Sequence, residues 1–225
     1  MCGIVGYVGG RPCREFLLQG LEKLEYRGYD SAGLSLLADD RIESVRAVGN
    51  LSFLREAVEA RARDEGGAVA TATAEPTIGI GHTRWATHGR VCEANAHPHN
   101  DTDDRIHIVL NGIVENHVAL RERLVAEGAA FTSDTDAEVV AHLISSHYDG
   151  DLVGAVRRAY NELRGHYAFV AMAADEPDVL VGARKECPLV VGVADTESFI
   201  ASAIPAFLSE TRTVQYVGNG EVITA

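Results

Sequence analysis

The sequence is poor in the features that would make it a disulfide scaffold, a membrane protein or a polyanion binder. Its 225 residues include four cysteines, at positions 2, 13, 92 and 187, with no Cys-x-x-Cys pair and no regular spacing, which argues against a disulfide framework. No window approaches the ~20 consecutive apolar residues that span a bilayer. The opening Met1-Cys2-Gly3-Ile4-Val5-Gly6-Tyr7-Val8 is apolar, yet it lacks the basic leader and the hydrophobic run of about 7 to 15 residues found in a signal peptide. A cytoplasmic protein with reduced thiols is expected. Positive charge is also in deficit: 20 Lys and Arg stand against 33 Asp and Glu, a net charge of −13, which disfavours nucleic acid and anionic membrane as partners and leaves small molecules. At about 150 residues per domain the length suggests one large domain or two small ones, and a core of that size needs no metal or disulfide staple.

What the chain does contain is alternation. Apolar β-rich runs bounded by turn residues occur at Ile4 to Val8, Ala32 to Leu37, Ile78 to His82, Ile106 to Leu110, Tyr167 to Ala173, Val179 to Ala183, Leu189 to Val193, Phe199 to Ala201, Val214 to Val217 and Glu221 to Thr224. Helical spacing appears after Pro12, which can take a first helical position ahead of the Leu17, Leu21, Leu24 stripe. It recurs from Ser52 to Arg63, from Asn116 to Glu127 with Gly128 as the stop, after the capping-box pattern Thr135-Asp136-Ala137-Glu138, and from Asp151 to Leu163. Helices cluster in the first two thirds and short-turned strands in the last, which predicts an α+β domain with two mainly antiparallel sheets and helices outside. The Ala-, Gly- and Thr-rich stretch Asp64 to Pro76 reads as a mobile surface loop.

Several groups of residues can carry chemistry. Once Met1 is removed, Cys2 offers a thiol nucleophile and an α-amine of pKa about 7.7 to 8.0 that can take its proton. The alternative is a small buried hydrophobe in the first strand. Asn111-Gly112, at the end of an apolar strand, supplies a side-chain donor and an approachable backbone N–H suited to an oxyanion, or else makes an ordinary Asn-Gly turn. In His82-Thr83-Arg84-Trp85-Ala86-Thr87-His88-Gly89, Arg84 can clamp a carboxylate and the single tryptophan, Trp85, can close a pocket; a structural Trp beside a solvated Arg is the competing reading. Cys92, His97 and His99 fit no common zinc spacing, so no metal and no cofactor is expected, and His97-Pro98-His99 is read as shaping a loop. Asp136 lies in a helical first turn, where the backbone dipole favours a carboxylate and where it would also suit a substrate ammonium group.

Taken together, Cys2-Gly3-Ile4-Val5-Gly6, Arg27 to Gly33, His82 to Gly89, Asn95-Ala96-His97-Pro98-His99, Asn111 to Asn116 and Ser133 to Asp136 resemble the glutaminase domain of the glutamine:fructose-6-phosphate aminotransferases, which are class II glutamine amidotransferases. The resemblance runs over residues 1–225 as one glutaminase domain. It implies the N-terminal-nucleophile hydrolase fold, a four-layer αββα sandwich. It implies that Cys2 attacks the side-chain amide of L-glutamine, that Asn111 and Gly112 form the oxyanion hole, and that Arg84 and Asp136 bind the substrate's α-carboxylate and α-amino group. Thr87 and His88 would line that pocket, Trp85 would close over it and Arg27 would support the nucleophile.

In the family two C-terminal sugar isomerase domains follow, take up the ammonia to make glucosamine 6-phosphate, and belong to an enzyme expected to be a homo-oligomer. A chain ending at Ala225 is therefore expected to hydrolyse glutamine only, and to be inactive if Met1 is retained. A catalytically silent glutamine-binding regulatory module, or an amidotransferase with another acceptor, are the other readings. The chain departs from the family pattern at Glu186-Cys187-Pro188-Leu189 and Ala201-Ser202-Ala203, both expected to lie away from the catalytic groups.

Overall fold

A computed structural model describes residues 2–64, 75–86 and 89–225. Along the chain these form β1 (Gly3–Val8), α1 (Arg14–Leu24), β2 (Ser31–Ala38), β3 (Arg41–Val48), α2 (Leu51–Asp64), β4 (Ile78–Arg84), β5 (His99–Asn100), β6 (Ile106–Val114), α3 (His117–Ala126), α4 (Asp136–His147) and α5 (Leu152–Glu162). The strands β7 (Gly165–Ala173), β8 (Val181–Lys185), β9 (Val190–Val193), β10 (Ser198–Ala201), β11 (Val214–Tyr216) and β12 (Val222–Thr224) complete the fold.

Side chains on a strand alternate between its two faces, and β1 puts apolar residues on both. Val5 and Tyr7 pack with Leu17, Leu21 and Leu24 of α1, whereas Ile4 turns the other way and meets Val109, Val170 and Met172. A strand apolar on both faces must lie between two layers. The sheets that supply them are a seven-stranded one in the order β11-β9-β10-β1-β4-β2-β3 and a five-stranded one in the order β12-β8-β7-β6-β5. Every pairing between these strands is antiparallel, and one isolated parallel bridge joins Tyr167 to Glu186. α1 and α2 cover the outer face of the first sheet. The outer face of the second carries Ile108, Leu110, Phe169 and Ala183 against Val140, Leu143 and Ile144 of α4 and Val156 of α5. The result is the four-layer αββα sandwich with two antiparallel sheets inside.

The helix ends follow local chemistry. Gly128 (φ +104°) closes α3, with its own N–H on the Val125 carbonyl and the Ala129 N–H on that of Leu124, a Schellman arrangement. Asp151 accepts the Gly154 N–H at 2.9 Å to start α5. Thr135 accepts the Glu138 N–H at 3.4 Å, but the Glu138 carboxylate does not close the expected capping box. It turns instead to the Thr132 and Ser133 N–H groups, both at 2.7 Å, and so clamps the turn that leads into α4.

Other expectations need correction. Pro12 does not open α1, which starts at Arg14 with Cys13 at its cap. β3 has no counterpart among the expected strands because it is a half-exposed edge strand carrying Arg41, Glu43 and Arg46, so the apolar signal is missing. A hairpin turn through Asp39 (φ 48°) and Asp40 (φ 61°) joins it to β2; two successive left-handed residues match the twist of paired strands. β5 is too short, at two residues, to show a pattern. Most of the Asp64 to Pro76 loop lies outside the described residues.

Candidate active site

Cys2 stands immediately before β1, in the middle of the seven-stranded sheet between β10 and β4. Its Sγ accepts the Trp85 N–H at 3.1 Å, and its carbonyl accepts a hydrogen bond from Asn111 Nδ2 at 3.0 Å. The second contact crosses from one sheet to the other and joins residues 109 apart in the chain. Burial pushes the Cys2 thiol up from its ordinary value, while the Trp85 N–H and the Arg84 guanidinium pull the other way by favouring the thiolate. A base close to the sulfur is therefore needed.

Beside Cys2 opens a cavity of about 360 Å³. Its walls include Arg27, Arg84, Trp85, Asn111, Gly112 and Asp136, so seven of the nine expected site residues meet in one place. The other two, Thr87 and His88, lie outside the described residues. Arg84, at the end of β4, is buried and presents a cation to the cavity, and Nη1 donates to the Arg90 carbonyl at 3.3 Å. Asp136, the first residue of α4, accepts the Val114 N–H at 2.7 Å through Oδ2. Trp85 is 46% exposed and meets Tyr29 edge-on, with ring centroids 5.6 Å apart.

The Asn-Gly pair is not a turn. Both residues continue β6, with Asn111 opposite Ala168 and Gly112 opposite Tyr167. Gly112 has φ +106°, and a Cβ there would fall on the His166 carbonyl and within 2.9 Å of Cys187 Sγ, so only glycine suits the position.

The remaining motifs act as supports. Arg27 Nη1 donates to the carbonyl and the hydroxyl of Ser202, each at 3.1 Å, and the same hydroxyl accepts the Ile4 N–H at 3.0 Å. Thus Arg27 braces the start of β1 from behind. Asp30 accepts the Ala86 N–H at 2.8 Å, and a Cβ on Gly28 would sit 2.7 Å from the Trp85 nitrogen. The Arg27 to Gly33 segment therefore presses the Trp85 N–H against the Cys2 sulfur. Asn95 accepts the Asp134 N–H at 2.9 Å and donates to the Arg90 carbonyl at 3.2 Å, tying the turn before α4 to the Arg84 segment.

Comparison with known proteins agrees with this arrangement. Residues 82–209, more than half of the chain, match the family described as glutamine amidotransferase domain. The chain belongs to the glutamine amidotransferase domain family. Relatives of this amidotransferase domain include glutamine–fructose-6-phosphate aminotransferase (isomerizing) from Caldanaerobacter subterraneus subsp. tengcongensis, 47% identical over 99% of the chain, and that from Symbiobacterium thermophilum, 48% identical over 98%. The chain spans 35% and 34% of the length of those two relatives. Among solved structures, glutamine phosphoribosylpyrophosphate amidotransferase from B. subtilis, complexed with ADP and GMP, superposes with a TM-score of 0.79 at 24% identity. That match covers 99% of this chain and 47% of the other and supports the shared N-terminal-nucleophile hydrolase fold.

Two site features escaped the sequence reading. Cys187 and Pro188, expected to lie away from the catalytic groups, line the same cavity, because the strands that follow β7 fold back beside Gly112. Glu186 adopts φ 69° there, and Asn219 holds it: Asn219 Oδ1 accepts the Glu186 N–H and Asn219 Nδ2 donates to its carboxylate, both at 2.8 Å. His82, His97 and His99, a buried row of contacting rings whose His82 end reaches Asn111, are absent from the expected site residues. For His82 the phase of β4 is a usable signal: Ile78 and Ile80 face the inter-sheet core, and His82 continues the same alternation.

Proposed function

We propose that this domain hydrolyses L-glutamine to L-glutamate and ammonia with Cys2 as an N-terminal nucleophile. The observation that carries the reading is the direct contact between Asn111 Nδ2 and the Cys2 carbonyl at the mouth of a cavity lined by one buried cation, Arg84, and one anion, Asp136. A zwitterionic amino acid calls for that pair of anchors: the Arg84 guanidinium takes the α-carboxylate and Asp136 the α-ammonium. The side-chain amide then reaches Cys2.

The free α-amine of Cys2 takes the thiol proton as sulfur attacks the amide carbon. The Sγ–C bond forms and the carbonyl electrons move to oxygen, where Asn111 Nδ2 and the Gly112 N–H stabilise the negative charge. Collapse expels the amide nitrogen, which leaves as ammonia with the proton returned by the amine. Water then attacks the thioester with the same amine as base, releasing glutamate and restoring the thiol. A chain that keeps Met1 has an amide nitrogen at that position and lacks the base. Trp85 closes over the bound substrate and Arg27 supports the nucleophile; Thr87 and His88, outside the described residues, stay expectations of the family resemblance.

In the whole protein, we infer, the ammonia goes to fructose 6-phosphate held by C-terminal sugar isomerase domains of the same polypeptide, in a cytoplasmic homo-oligomer that makes glucosamine 6-phosphate for hexosamine synthesis. Support comes from the aminotransferase names of the relatives and the third of their length that this chain matches. The test is ammonia release from glutamine by protein whose N-terminus is shown by mass to be Cys2, with Cys2→Ala as control. Binding of glutamine without product would favour a silent regulatory module.

A further inference from the structure

β6 has a ladder partner on its β5 side only at His107 and Ile108. Beyond that point the flanking strand is gone, and Leu110 would leave polar backbone groups unpaired in a buried place. Two histidines fill the gap. His97 Nδ1 accepts the Leu110 N–H at 3.3 Å, and His82 Nε2 lies 3.1 Å from the Leu110 carbonyl. Their rings stack with centroids 4.1 Å apart and planes 19° from parallel.

The same His82 Nε2 lies 3.0 Å from Asn111 Oδ1. A nitrogen facing two oxygen acceptors must carry the hydrogen, which makes His82 the Nε2–H tautomer donating to both. Its Nδ1 has no hydrogen-bond partner among the described residues, and burial pulls its pKa down to about 3, so the ring stays neutral. With that donor in place the Asn111 amide has one acceptable orientation. A flipped amide would set its NH2 against the His82 N–H, and its oxygen against the Cys2 carbonyl.

Resting on the glutaminase reading, we propose that His82 is a positioning residue that selects the Asn111 amide orientation in which Nδ2, the donor proposed for the oxyanion, points to the Cys2 side. Its place explains why a histidine serves here. β4 pairs directly with β1, with His82 opposite Ile4, so the ring reaches from the sheet that carries Cys2 to the strand of the other sheet that carries the oxyanion donor. One side chain thereby sets nucleophile and oxyanion hole in register.

The test combines kinetics with spectroscopy on protein with a free Cys2 amine. His82→Ala is expected to lower kcat for glutamine hydrolysis by about 10- to 100-fold, less than or equal to the loss of the donor itself, with KM unchanged because Arg84 and Asp136 are untouched. His82→Gln, whose amide nitrogen can occupy the Nε2 position, is expected to recover most of the rate, and His82→Asn, whose nitrogen falls short, is not. Unchanged kcat in His82→Ala, equal defects in the Gln and Ala variants, or a loss expressed in KM would overturn the proposal.

Should His82→Ala fail to fold, 15N spectra of histidine-labelled wild-type protein decide the matter, with His82→Gln used for assignment. A neutral Nε2–H tautomer from pH 5 to 8 is required, and an Nδ1–H tautomer or an imidazolium would overturn the proposal. Wild-type protein without glutaminase activity would defeat the functional reading while leaving this tautomer measurable on its own.

Discussion

Asn111 offers a sharp quantitative test because two replacements of it fail for different reasons. In Asn111→Ala the side-chain donor and its bond to the Cys2 carbonyl at 3.0 Å vanish. Loss of one oxyanion donor costs about 2.7 to 4 kcal/mol of transition-state stabilisation, a fall in kcat of about 10² to 10³. Asn111→Asp keeps the shape and keeps an acceptor for His82, but it sets a carboxylate where the donor was. Two negative charges about 4 Å apart at an effective dielectric constant of about 20 repel by about 4 kcal/mol. Added to the lost donor this gives about 7 kcal/mol, or a fall of about 10⁵.

KM for glutamine should change little in either variant, since Arg84 and Asp136 are untouched. The assay is steady-state glutamate release at pH 7.5, with circular dichroism to verify the fold. The Asp variant should recover relative to the Ala variant as pH falls, because protonation removes the repulsion. Equal rates in the two variants, or either within threefold of wild type, would refute the assignment of Asn111 to the oxyanion.

Further outcomes follow from neighbouring residues. Arg84→Lys exchanges a fork for a point charge and should raise KM for glutamine by about 10- to 100-fold, consistent with the loss of one charge-assisted hydrogen bond, while kcat changes much less; isothermal titration of glutamine would register the same loss. Gly112→Ala forces a Cβ onto the His166 carbonyl at φ +106° and should destabilise the fold by about 3 kcal/mol, or about 6 to 12 °C in Tm for a domain of this size. Burial alone would raise Glu138, but the His142 ring, Ser133 and the Thr132 and Ser133 N–H groups outweigh it and hold the carboxylate down at about 2. Because that value lies below the unfolded one of about 4.3, its stabilisation is fully present above pH 4.3 and is lost as pH falls through about 2. Glu138→Gln should cost about 2 to 3 kcal/mol at pH 7 by calorimetry, a deficit that shrinks towards pH 2.

Legibility in the sequence tracked burial. Strands that are apolar on one or both faces, such as β1, β4 and β7, announced themselves within a residue or two of their ends, and helix stops such as Gly128 were readable from turn chemistry. β3 was not, because an edge strand with charged residues on its open face carries no hydrophobic period. The residues proposed to meet glutamine, Cys2, Arg84, Asn111 and Asp136, each had an ordinary structural reading as well, and it was their motifs taken together that pointed to a shared site; the structure brings the four to one cavity. Residues that hold those groups in place were harder to recognise. His82 meets Asn111 from another sheet, and Cys187 reaches the cavity only because the chain after β7 returns beside Gly112. Contacts between sheets depend on how the layers stack, which single-strand patterns do not encode.

The central claim is that Cys2, with its own amine, is the nucleophile of a glutamine hydrolysis. The most direct measurement follows glutamate and ammonia from L-glutamine with protein whose first residue is verified by mass to be Cys2, alongside Cys2→Ala and a form that keeps Met1. Stoichiometric release of both products by the first form alone is the predicted result. Undiminished turnover in Cys2→Ala, or equal activity with Met1 in place, would contradict it.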